Sequence, residues 1–234
     1  MAHEAWKKGG PDVTAAHLHR MPSSHFFVTG TDTDAGKTYI TCLLLEALKR
    51  AGKTAAGYKP LVCGGRDDAI RLLNSSHSPE GLSLEEVNPV WLKFAAAPYV
   101  AAMMENRRFD VSQLITGFHM LAACHEHVLV EGAGGWEVPL NEFCTMADLA
   151  QRLALPIIMV VNNKLGCLNH TLLTIKNIQE RGLTCAGIIL NYVQDERDPA
   201  SISNRMALEH FLPKVPVLAE VMHGETEIEW PLEL

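Results

Sequence analysis

Four charged residues stand where a chain could handle phosphate: Lys37, Lys59, Asp68 and Glu131. Lys37 belongs to TGTDTDAGKT (residues 29–38), which joins a β-rich run to a segment of helical period. A phosphate loop reads G-x-x-x-x-G-K-[ST]; here Thr31 takes the place of its first glycine and Gly30 comes one position early. Asp32 and Asp34 add negative charge to a loop whose generic task is to hold polyphosphate. Gly36-Lys37-Thr38 nevertheless opens a helix, where unpaired N–H groups and the macrodipole favour anions. In that context Lys37 reaches terminal phosphates and the Thr38 hydroxyl ligates Mg²⁺. The bland alternative is a glycine turn with a chance G-K-T, and it gives no reason for a strand and a helix to flank it.

Three further segments end near the same place. In GYKPLVCGG, Lys59 follows a strand-like run, against the alternative of a solvated lysine. RDDAIRLL puts Asp67 and Asp68 at a helix start, where ordinary capping would also explain them. Glu131 closes the apolar run HVLV before GAGG, a position suited to holding a metal directly or through water. NKLGCLNH (163–170) leads into another helix, with unpaired N–H groups for a second anion and Asn169 as a plausible N-cap. HEH (125–127) has no third ligand near it in sequence and reads as surface.

The elements that must position these residues alternate along the chain. Strands are predicted over 25–30, 54–60, 127–131, 156–162, 184–191 and 215–221. Helical spacing recurs over 37–51, 67–74, 97–106, 111–124 and 169–181. Near-continuous apolar strands alternating with helices predict an α/β fold, a mostly parallel sheet flanked by helices, with ligands beyond the carboxyl ends of the strands. The 234 residues are 47% hydrophobic and 20% charged, with no linker or repeat, so one domain is expected over 23–234. Residues 1–22 read as a disordered leader or an added extension. A formal charge of −7 without a basic run excludes nucleic acid as a partner, and no apolar run approaches the roughly 20 residues of a membrane span. Six scattered cysteines without a C-x-x-C pair fit a reducing, cytoplasmic setting.

Taken together, VTGTDTDAGKT (28–38), AGYKP (56–60), VNP (87–89), APYVAA (97–102), VLVEGAGGW (128–136), KLGCLNH (164–170) and ILN (189–191) resemble the dethiobiotin synthetase family, in the right order over roughly residues 26–220. The resemblance implies a P-loop NTPase fold and a homodimer with interfacial active sites. It implies ATP and Mg²⁺ as cofactors, with 7,8-diaminononanoate and CO2 (or bicarbonate) as substrates. One amine would take up CO2 as a carbamate whose oxygen attacks the γ-phosphate; the neighbouring amine would then close the ureido ring and release phosphate.

The same resemblance assigns residues. Thr38, Asp68 and Glu131 stand at metal-ligand positions, and Lys37, Lys59 and Thr33 at catalytic ones. Gly30, Asp34, Ala35, Gly36, Lys37, Thr38, Tyr39, Glu131 and Asn191 fall at nucleotide-site positions, Asn191 at that of an adenine-reading asparagine. Thr33, Lys59, Cys63 and the segment Gly166, Cys167, Leu168 and Asn169 fall at substrate positions, the last four reaching the partner subunit's site. The sequence departs from the family pattern at Cys63, where serine is usual, in the shortened CGGRDD loop that leaves Asp67 competing with Asp68, and at LAEVM, where a G-E-[IL]-P-like turn is usual. The rival in this fold is a partition or cell-division-site switch ATPase. Those carry an extra lysine early in the loop, where this chain has Asp32.

Overall fold

The computed structural model describes residues 24–195 and 199–232, so the leader expected over 1–22 lies outside the described residues. A six-stranded parallel sheet runs through the centre. Its strands are β1 (His25–Gly30), β2 (Ala55–Tyr58), β5 (His127–Glu131), β8 (Ile157–Asn162), β9 (Cys185–Asn191) and β10 (Val217–Val221), in the order β10-β9-β8-β1-β5-β2. Alternating side chains of β1 feed two cores. Phe26 and Val28 face Ile40, Leu44 and Leu48 of α1 (Lys37–Arg50), whereas Phe27 faces the side of α5 (Val111–Cys124) and α7 (Cys167–Glu180), through Leu114 and Ile175. Burial on both faces is why these strands are apolar throughout instead of alternating.

Short elements fill the connections. A parallel pair, β3 (Leu61–Cys63) and β4 (Val90–Leu92), frames α2 (Asp67–Ser75) and α3 (Leu84–Val87), and α4 (Pro98–Met104) follows. An antiparallel pair, β6 (Pro139–Asn141) and β7 (Cys144–Thr145), leads to α6 (Met146–Leu153), which opens on a capping box between Thr145 and Asp148. α8 (Ser201–Phe211) precedes β10. After β10 the chain runs back along α1. The Tyr39 hydroxyl donates to the Glu225 carbonyl, Arg50 donates to that of Ile228, and Trp230 packs edge-on to Phe26. No helix among the described residues is long and apolar enough to cross a membrane.

Two local expectations are corrected. Helix α7 begins at Cys167, and Asn169 is not its N-cap: Gly166, at φ 89, makes the turn, in the left-handed region that glycine enters without strain. The histidines of HEH are buried, with His125 Nδ1 at 2.9 Å from the Leu121 carbonyl and His127 Nδ1 at 2.8 Å from that of Ser24. Only Glu126 between them faces solvent, where Lys53 and the Thr54 N–H hold it.

That burial sets a pH dependence. His25 accepts the Val128 N–H through Nδ1 at 3.0 Å, so its ring is held unprotonated at that nitrogen. Burial, then the nearby His127, lowers the pKa of His25; burial lowers that of His127 despite its bond to Ser24. Both folded values lie below the 6.5 of an unfolded chain, so the unfolded state takes up protons first. The contribution is complete above 6.5 and is lost as pH falls through 6.5 towards the lowered values. The thermal midpoint should therefore drop as pH is taken from about 7 to about 5, and the drop should be shallower in His127→Gln. Equal pH slopes in the two proteins would remove these rings from the acid response.

Candidate active site

The ends of β1, β2, β5, β8 and β9, which carry or precede predicted site residues, lie at one rim of the parallel sheet. β1 lies between β8 and β5, pairing Gly30 with Val160 and Val28 with Glu131, so the phosphate loop emerges where the connections turn in opposite directions. Gly36 holds φ 85 and ψ 27 as the N-cap of α1. A Cβ there would lie 2.1 Å from Asn191 Nδ2, because Asn191, at the end of β9, donates that amide to the Ala35 carbonyl at 3.0 Å. The Asn191 side chain thus clamps the loop from a strand two places away.

Lys37 is 4% exposed. Its stem passes over Gly30, where a Cβ would meet Lys37 Cγ at 3.0 Å, and this accounts for the early glycine. Its ammonium donates to the carbonyls of Asp32 at 2.9 Å and Thr33 at 3.1 Å. Burial, then repulsion from Lys59, lowers its pKa to about 8, with Glu131, Asp68 and Asp32 offsetting only part. Asp32, Thr33 and Asp34 are exposed; the Asp32 carboxylate accepts the Thr33 N–H at 2.7 Å, which shapes the turn.

Lys59 and Glu131 form the buried centre. Glu131 is 0% exposed, and its Oε1 accepts from Lys59 Nζ at 2.5 Å and from the Thr38 hydroxyl at 2.7 Å. Lys59 also donates to the Gly132 carbonyl and to Asp68 Oδ2, both at 3.3 Å. Burial alone would lower the pKa of Lys59, but Glu131 and then Asp68 reverse it, and the value ends above normal. Asp68 faces this cluster while Asp67 is exposed and outside it. Glu131 Oε2 is buried without a partner. One hydroxyl and two carboxylates, one of them with an unsatisfied buried oxygen, make a hard-oxygen set suited to Mg²⁺, which takes one or two carboxylates and completes its shell with phosphate and water. A cage of three or more His, Cys, Asp or Glu is absent among the described residues, in keeping with that mode.

The remaining predicted residues fall into two groups. Cys63 ends β3 half-buried, its thiol pushed up to about 11 by burial and then by Glu105. The segment Gly166–Asn169 stands at the same rim, beyond β8, but no hydrogen bond or ion pair of Lys37, Lys59, Asp68 or Glu131 reaches it. Sequence reasoning gave no role to Asn88. It is 1% exposed and donates to the carbonyls of Lys59 at 2.8 Å and Val90 at 3.1 Å, and it accepts from Arg66, fixing the backbone that carries Lys59. The Asn-Pro step at 88–89 was its only signal.

A glycine-capped phosphate loop with two buried lysines beside a carboxylate and a hydroxyl defines a P-loop nucleotide-binding protein. A family model described as an AAA domain matches residues 24–226. Solved structures agree on the fold alone. The septum site-determining protein MinD complexed with Mg-ADP from Pyrococcus horikoshii is 19% identical at a TM-score of 0.53, covering 85% of this chain and 81% of its own. A ParA family ATPase from Chlorobium tepidum is 13% identical at 0.53, with 87% and 86% covered. Curated relatives are far nearer in sequence, all named ATP-dependent dethiobiotin synthetase BioD. That of Akkermansia muciniphila is 48% identical over 86% of this chain and 93% of its own length, that of Yersinia pestis 38% over 85% and 87%, and that of Aromatoleum aromaticum 39% over 85% and 90%. The chain belongs to the dethiobiotin synthetase family.

Because Lys59 and Glu131 are buried together, removing one strands the other. Lys59→Met should cost about 3–5 kcal/mol of stability as well as activity. The double variant Lys59→Met/Glu131→Gln should regain much of the thermal midpoint and none of the turnover. Equal midpoints for the single and double variants would contradict the pairing.

Proposed function

We propose that this chain carries out the dethiobiotin synthetase reaction, the ATP- and Mg²⁺-dependent joining of 7,8-diaminononanoate and CO2 into a ureido ring, with the residue roles given below. The observation that carries the reading is the meeting of Lys59 with Glu131 and Thr38 beside Lys37. A phosphate loop needs one lysine, and a second, buried at the same rim, suits a reaction in which substrate carbamate and γ-phosphate are both anionic.

Thr38, Asp68 and Glu131 would hold Mg²⁺, which when bound draws charge from the phosphate oxygens. Lys37 exchanges two neutral carbonyl acceptors for charged phosphate oxygens, in bonds roughly twice as strong. Lys59, whose ammonium stands against Glu131 and Asp68, would neutralise charge between carbamate and γ-phosphate. No side-chain nucleophile is needed, since the carbamate oxygen attacks phosphorus, and phosphoryl transfer rests on positioning and charge neutralisation. Thr33 and Cys63 line the diamine, and Asn191 meets the nucleobase while holding Ala35.

The homodimer belongs to the same proposal. Its support is the start of α7, where Gly166 and Asn169 are exposed and the positive end of the helix dipole suits a substrate carboxylate, and the adjoining Leu165, 74% exposed. A cytoplasmic setting is supported by six cysteines, none in a disulfide. The switch-ATPase alternative is disfavoured by Asp32 and by the relatives above.

Phosphate release in the presence of ATP, Mg²⁺ and bicarbonate should depend on the diamine. Hydrolysis stimulated by DNA or membrane and indifferent to the diamine would overturn the assignment. Lys37→Ala should abolish turnover, and kcat/KM for ATP should fall above about pH 8 in the native enzyme, as the free enzyme's Lys37 loses its proton. Near-normal kcat in the variant would rule that role out. Cys63→Ser should leave activity equal or raised, because a hydroxyl is the better hydrogen-bonding group; a large loss would give the thiol a role of its own.

A further inference from the structure

The loop that follows Glu131 is built of small residues, yet it is held in one place. Gly132 donates to the Val28 carbonyl at 3.0 Å and accepts from Lys59, and it lies so close to Met146 and Phe27 that a Cβ would meet them at 3.3 and 3.4 Å. Gly134, at φ 68, folds back on Val138, and Gly135 faces the Thr31 carbonyl of the phosphate loop. Four consecutive small residues, Gly132 to Gly135, give such a loop little stiffness of its own, since glycine loses more freedom on ordering than any other residue. Something outside it must fix it.

Trp136 is that anchor. It is 4% exposed, meets Phe27 edge-on at 6.3 Å, and donates Nε1–H to Asn177 Oδ1 on α7 at 2.7 Å. Arg181, at the C-cap of α7, donates Nε–H to the same Asn177 oxygen at 2.9 Å. Two donors converge on one atom, so the Asn177 amide has a single orientation in which its oxygen faces them. Arg181 in turn reaches Asp148 at 2.6 Å and Glu137, just past Trp136, at 2.9 and 3.2 Å. Asp148 is spent on the cap of α6 through the Thr145 N–H at 2.7 Å. The result is a continuous polar chain from α6 and α7 to the residue that ends the glycine loop.

We propose that Asn177 and Arg181 are positioning residues for the phosphoryl-transfer site: they lock Trp136, and through it set the glycine loop that follows Glu131 and carries the Gly132 carbonyl against the phosphate loop. The proposal rests on the reading of Glu131 as an Mg²⁺ ligand. Neither residue bonds Lys37, Lys59, Asp68 or Glu131 directly. Their effect is on where Glu131 and Lys59 stand when ATP and the metal arrive, and partners of this outer kind typically change metal affinity or activity by roughly 10–100-fold when lost.

The test is a set of three substitutions assayed by calorimetric Mg²⁺-dependent ATP binding and by diamine-dependent phosphate release, both well below each variant's thermal midpoint, with Mg²⁺ and ATP titrated separately. Asn177→Leu keeps the side-chain size but accepts no bond, and it should raise the Mg²⁺ concentration for half-maximal rate and lower kcat, by about tenfold in combination. Asn177→Asp retains an acceptor for both Trp136 and Arg181 and should behave within about twofold of the native protein. Trp136→Phe removes the donor, and adding Asn177→Leu to it should cost little more, since the shared bond is already gone. A purely structural role would lower the active fraction and leave the half-saturating Mg²⁺ unchanged; that result, or equal losses in the Leu and Asp variants, would overturn the proposal. Native protein that shows no diamine-dependent release would instead fail the functional reading, before any variant is compared.

Discussion

One buried ammonium without a carboxylate of its own governs this site. Glu131 and Asp68 hold Lys59, but Lys37 is left to two backbone carbonyls and to repulsion from its neighbour. Keeping it charged at neutral pH opposes folding, and a polyanion beside it returns that free energy on binding. The surrounding structure follows from this requirement. Gly30 leaves room for the lysine stem, Gly36 turns the chain so that the helix opens towards the anion, and Asn191 fills the space a side chain at Gly36 would need. The loop is held by contacts from β9 because its own exposed residues contribute little.

The fold was legible wherever a segment was long and buried on both sides. β1, β5, β8 and β9 are continuous apolar runs, and α1 carries its periodicity up to Gly52. The short elements were not legible: β3, β4, β6 and β7 span two or three residues, below the length at which any period is visible, and α3, α6 and α8 were passed over with them. The start of α7 was misplaced because asparagine is a common cap, whereas here glycine makes the turn. HEH was misread because burial of a histidine depends on what packs over it, and the covering groups, Leu121 and Ser24, bond to its rings.

At the site, residue types were legible and their pairings were not. Lys59 and Glu131 are 72 positions apart, and nothing local says that they share a proton-rich contact. The choice between Asp67 and Asp68 is one of helix phase: neighbouring positions differ by about 100° around the axis, so only one faces the rim. The fold itself says less than the loops. MinD and ParA structures share the sheet at TM-scores of 0.53 but only 19% and 13% of the sequence, so the sheet alone does not fix the chemistry.

The contacts that lock the phosphate loop come from residues distant in the sequence. Asn191 lies 156 positions beyond Ala35, and the Glu225 carbonyl that receives the Tyr39 hydroxyl lies 186 beyond it. The loop is therefore fixed by contacts of high sequence separation, whose loop-closure entropy must be met before they can form. Order in the loop is in that sense a property of the assembled sheet and not of the loop's own residues.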